Sequence, residues 1–91
     1  MKKTHEHLKR DLERFQANIA KWQRACEREA GKGDMEMAGQ YEQDAKDLTD
    51  IYNAIAEGNY GLAGELAYEL DTIVRDQIPV RLYNTITKCS K

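Results

Sequence analysis

Leu8-Lys9-Arg10-Asp11-Leu12-Glu13-Arg14-Phe15-Gln16-Ala17-Asn18-Ile19-Ala20-Lys21-Trp22-Gln23-Arg24-Ala25-Cys26 places its apolar residues at Leu8, Leu12, Phe15, Ile19, Trp22 and Cys26. The spacing is 4-3-4-3-4, the repeat that keeps one stripe of a helix turned towards a neighbouring helix. This stretch predicts a helix over about 4–30. Thr4 suits its N-cap, and Glu6 in the first turn faces the positive end of the helix dipole. Gly31-Lys32-Gly33-Asp34 ends it, because glycine accepts the left-handed conformation that stops a helix.

Working outward, a second helix is expected over about 35–57, with Met37, Tyr41, Ala45, Leu48, Ile51, Tyr52 and Ile55 inward. Gly58-Asn59 turns the chain into a third over about 60–78, with Leu62, Leu66, Leu70, Ile73 and Val74 inward. Pro79 lacks a backbone donor and disfavours helix in the residue before it, so it marks a break. It also suits the first turn of a short fourth helix over about 79–87, with Val80, Tyr83 and Ile86 on one face. The segments Gly33–Gln40 and Gly58–Glu65 line up at a period of 25 residues. In both, a glycine stops one helix, Asp34 or Asn59 caps the next, and an Ala-Gly pair lies in the second turn. Glycine inside a helix costs about 1 kcal/mol relative to alanine, so Gly39 and Gly64 read as marks of close helix approach.

The expected fold is therefore all-α: one domain over residues 1–91, a three-helix antiparallel bundle with a short C-terminal helix. The chain is 41% hydrophobic and 33% charged, enough for one modest core under an extensive wet surface. A chain this short buries only about two-thirds of its surface, so association with a partner adds useful stability. The first helix is expected to outrun the third and expose Leu8 and Leu12, a seam on which a homodimer or a foreign helix would dock. Met35, Met37, Tyr41, Tyr52, Tyr60 and Tyr68 are read first as core, and second as an aromatic binding surface.

Charge is divided along the chain. Residues 1–32 carry nine Lys or Arg against five acids, residues 33–78 eleven acids against two bases, and residues 79–91 three bases. The segment charges of +4, −9 and +3 together return the overall −2. On the first helix Arg10, Arg14, Lys21, Arg24 and Arg28 share a heptad row with Ala17, offset two positions from the apolar seam and so facing away from it. The second helix has a polar row at Glu36, Gln40, Gln43, Asp47 and Asp50, and the third at Glu65, Glu69, Thr72 and Asp76. Such rows serve any surface helix as its solvated face. They also suit recognition of a partner of complementary charge, which speeds and orients association. The candidate partner-binding residues are accordingly Arg10, Arg14, Lys21, Arg24, Arg28, Glu36, Asp47, Asp50, Glu65, Glu69 and Asp76.

Catalytic and metal chemistry find little support. The only histidines, His5 and His7, sit at the N-terminus, and no Glu-x-x-His pair occurs. Cys26 falls on the apolar seam and Cys89 near the C-terminal end, with no C-x-x-C pair, so neither a zinc site nor a disulfide is expected. Glycine-rich phosphate loops and nucleophile elbows are missing. No catalytic residue, cofactor or metal is expected. No apolar run reaches the ~20 residues of a membrane span, and the N-terminus does not read as a signal peptide; a cytoplasmic setting is the expectation. The leading expectation is a non-catalytic module that binds a protein and regulates or inhibits it. By analogy with other small, charge-divided helical proteins, it is of the kind that phages and mobile elements use against host machinery. The alternatives are a structural homo-oligomer and a nucleic-acid-associated protein using the basic row. Against the last stand Asp11, Glu13, Glu27 and Glu29 on the same helix and the lack of aromatics among the basic positions.

Overall fold

The computed structural model describes residues 2–89, with side chains from Leu8 to Lys88. The chain is all-helical, with no strand among the described residues: α1 (Lys2–Gly31), α2 (Met35–Ala56), α3 (Tyr60–Tyr68), α4 (Thr72–Arg75) and α5 (Val80–Cys89). α1 begins ahead of Thr4, which therefore lies inside the helix and not at its cap. The side chains of Thr4, His5, Glu6, His7 and Cys89 lie outside the described residues. Thirty residues at 1.5 Å each make α1 about 45 Å long, close to the 48 Å long axis of the molecule.

Both interhelical turns are built the same way. The Gly33 amide donates to the Ala30 carbonyl and the Asp34 amide to Glu29; Gly58 donates to Ile55 and Asn59 to Ala54. This is the Schellman pattern, which needs a left-handed residue just past the helix. Gly33 and Gly58 supply it at φ 87° and 83°. The next residue at once caps the following helix: Asp34 Oδ1 accepts from the Met37 amide at 3.1 Å, and Asn59 Oδ1 from Leu62 at 3.3 Å. The internal repeat is thus a repeated stop-and-restart device. Its Ala-Gly pair behaves differently in the two copies. Gly64 is buried, but Gly39 is exposed and a Cβ there would meet nothing within 4 Å. Close approach is not the reason for Gly39. Gly39→Ala is expected to stabilise the protein by about 1 kcal/mol through helix propensity. Gly33→Ala, forced to φ 87°, is expected to lose about 1–2 kcal/mol. Urea unfolding of the two variants checks the opposite signs.

α2 runs back along α1. Phe15 meets Tyr52 edge-on with ring centroids 6.0 Å apart, and Trp22 meets Tyr41 at 5.9 Å. α2 also packs on α3, α3 on α5, and α5 on α1. The core draws on Phe15 and Ile19 of α1; Leu48, Ile51, Ala54 and Ile55 of α2; Ala63 and Ala67 of α3; Val74 of α4; and Ile78, Leu82 and Ile86. Ala38 and Ala45 are buried outside this cluster. The α1 and α2 segments nearest their connecting turn therefore form a two-helix arm, closed by Trp22 and Tyr41.

Several inward assignments change. The expected third helix breaks after Tyr68, and Asp71 restarts the chain in extended conformation (φ −62°, ψ 153°) ahead of α4. α3 buries its small residues, Ala63, Gly64 and Ala67, while Leu62 and Ile73 are exposed. On α5 the buried pair is Leu82 and Ile86, an i, i+4 couple, while Val80 is 75% exposed. Met35, Met37 and Tyr68 are surface residues, not core. Leu8 and Leu12 do not form a bare overhang: they are partly buried and packed against the cluster that holds Leu82 and Ile86. The segment after Pro79 folds back so that α5 packs on α3 and touches α1.

Candidate functional site

The row on α1 follows from its seam. Phe15 and Ile19 are buried, and positions offset by two face away from them. Arg10, Arg14, Ala17, Lys21, Arg24 and Arg28 are all exposed, along about 27 Å of helix. The only ion pair among the described residues is Lys32 with Glu29, at 3.8 Å. None of the five cations makes an ion pair among the described residues. Arg28 also lies in the last turn of α1, where a positive charge complements the helix dipole; that role is structural. Arg14, Lys21 and Arg24 have no such second task.

The acidic candidates do not form one surface. Asp47 and Asp50 of α2 and Glu69, just past α3, meet around a recess of about 150 Å³ with Leu66 and Leu70. Asp47 is half-buried and accepts from Gln43 Nε2 at 3.0 Å. Glu36, Glu65 and Asp76 are exposed and not part of this recess. Glu36 occupies the first turn of α2, where it complements the positive helix end. Among the described residues no three His, Cys, Asp or Glu side chains are arranged to hold a metal ion, the recess included. No helix among them is long and apolar enough to cross a membrane.

A larger recess of about 650 Å³ lies between α1 and α2, lined by Gln23, Cys26 and Glu27 on one side and Glu42, Lys46 and Asp50 on the other. Cys26 is a free, half-buried thiol there, less enclosed than its place on the seam suggests. Nearby, Asp44 ties the arm together: Trp22 Nε1 donates to its Oδ2 over a long 3.4 Å, and Gln40 Nε2 to its Oδ1 at 3.0 Å.

Two polar residues that set the surface's shape escaped the sequence reading. Asn18, on α1, donates from Nδ2 to the Gln77 carbonyl at 2.8 Å, pinning the connection to α5 against α1. Arg75 folds back over the end of α3: Nε donates to the Ala67 carbonyl at 3.2 Å, and an η nitrogen to Tyr68 and Leu70 at 3.1 and 2.7 Å. Its guanidinium adds donors to the carbonyls at the end of the broken helix, of which Ala67 also accepts from the Leu70 amide at 3.1 Å, and places positive charge at the negative helix end. Loss of these bonds in Arg75→Ala is expected to cost about 2 kcal/mol. Arg75→Lys, without the planar fork, is expected to recover less than half of that in chemical unfolding. Full recovery by lysine would show that charge alone holds the corner.

No protein-family model, no curated protein and no solved structure gives a significant match to this chain.

Proposed function

We propose that the chain is a non-catalytic binding module, built on an antiparallel helical bundle, that docks an acidic protein surface on the outer face of α1. The observation that carries this reading is the row of exposed basic side chains at Arg10, Arg14, Lys21, Arg24 and Arg28, none of which makes an ion pair among the described residues. Each such charge is worth little where it stands. Aligned on a rigid helix they present one sign to an approaching partner, raise the encounter rate and fix its orientation. The module acts by occupying its partner, and so regulates or inhibits it. In this it would resemble the small, charge-divided helical proteins that phages and mobile elements use against host machinery.

The test is a pull-down from lysate with and without nuclease, using the wild-type chain and R14E/K21E/R24E side by side. A discrete protein retained by wild type through nuclease treatment, and lost by the variant, supports the reading. Captured material that disappears with nuclease overturns it in favour of nucleic acid. A partner held equally by both chains removes α1 from the interface.

A further inference from the structure

The α1 row has a counterpart on α2. Glu36, Gln40, Gln43, Asp47 and Asp50 are spaced 4-3-4-3, as are Arg10, Arg14, Ala17, Lys21 and Arg24. Laid side by side in parallel, Glu36 faces Arg10, Asp47 faces Lys21 and Asp50 faces Arg24. Gln40 and Gln43 fall opposite Arg14 and Ala17, so no like charges meet. Within one molecule the two rows do not pair: α1 and α2 join through Phe15, Trp22, Tyr41 and Tyr52, and no residue of either row takes part in an ion pair among the described residues. Arg10, Lys21, Arg24, Glu36 and Asp50 are exposed, while Asp47 is half-buried at the rim of the α2–α3 recess. Opposite charges on helices that share a 3.5-residue repeat are the means by which neighbouring helices choose partner and register.

We propose that a second copy of this chain is an occupant of the α1 face, docking its α2 row of Glu36, Asp47 and Asp50 against Arg10, Lys21 and Arg24. Ala17 is the only apolar residue in either row, so the contact has no hydrophobic centre. It is weak, steep in salt and favoured at high protein concentration. It also competes with any acidic partner for the same face, so that self-association holds the binding surface in reserve.

Sedimentation of the purified chain tests this without reference to any partner. In about 20 mM salt, where charges act over roughly 20 Å, the weight-average mass is expected to rise with concentration from 10.5 kDa towards twice that value. In about 500 mM salt, where the screening length falls to roughly 4 Å, the monomer is expected throughout. R10E/K21E/R24E alone and E36K/D47K/D50K alone should each stay monomeric in low salt, because both of their rows then carry one sign. An equimolar mixture of the two should associate again. Circular dichroism checks folding, and the neutral set R10Q/K21Q/R24Q should also lose association. A monomer at every salt and concentration overturns the proposal. So does association that survives in either single variant or in high salt, or a mixture that stays monomeric. None of these results bears on capture of a foreign partner, which is read separately by the pull-down.

Discussion

Phe15→Ala is expected to lower the unfolding free energy by about 4 kcal/mol, the largest effect of any single substitution considered. Phe15 is fully buried, sits in the middle of α1 and meets Tyr52 of α2 edge-on. Its ring is in the same cluster as Leu48, Ile51 and Ile55. Truncation removes the transfer free energy of the ring and leaves a space that the surrounding helices close only in part. A domain of this size typically has about 5–10 kcal/mol of stability in total, so a large share of the molecules would unfold on mild heating. Urea unfolding, with an unchanged slope and a lower midpoint, is the expected record. A loss under about 1 kcal/mol would mean that α1 and α2 do not pack through this ring.

Leu82→Ala is expected to cost about 3 kcal/mol, and Val80→Ala less than about 0.5 kcal/mol. The two positions stand one turn or less apart on α5, yet Leu82 is 2% exposed and Val80 75%. This pair separates the structural face of α5 from the one expected from its sequence, Val80, Tyr83 and Ile86, of which Ile86 is buried and Tyr83 half-buried against the core but Val80 is not. It also tests whether α5 is part of the packed domain. If α5 were only an appended tail, Leu82→Ala would leave the unfolding midpoint unchanged. Parallel denaturation of the two variants decides.

The parts of the fold that were legible in the sequence are those written in local, strongly periodic terms. The seam of α1 announced itself because six apolar residues keep a heptad spacing through a basic background. The two turns were legible because glycine followed by Asp34 or Asn59 combines a stop with a start. The break at Tyr68–Asp71 was not, because Leu66, Leu70, Ile73 and Val74 continue an apolar row across it. What holds the corner is Arg75, reaching back seven or eight residues to carbonyls, a contact with no sequence period. Small residues misled in the same way. Ala63, Gly64 and Ala67 carry too little side chain to dominate a pattern beside Leu62. They are nevertheless buried, and helix separation is set by the side chains at the contact.

The candidate site was legible to a similar degree. That Arg10, Arg14, Lys21, Arg24 and Arg28 share the outer face of α1 follows from their offset to the seam, and the structure leaves all five exposed. In the sequence the acidic positions read as stripes on separate helices. Only the α2–α3 turn shows that Asp47, Asp50 and Glu69 come together beside Leu66 and Leu70.

The most direct test of the binding account is the affinity of the captured partner, by calorimetric titration at low and high salt, for wild type and R14E/K21E/R24E. The account predicts that wild-type binding weakens as salt rises, and that the variant binds at least about tenfold more weakly at low salt with its helicity intact. Equal affinity of the two chains, with the same dependence on salt, would contradict the assignment of the α1 face as the contact surface.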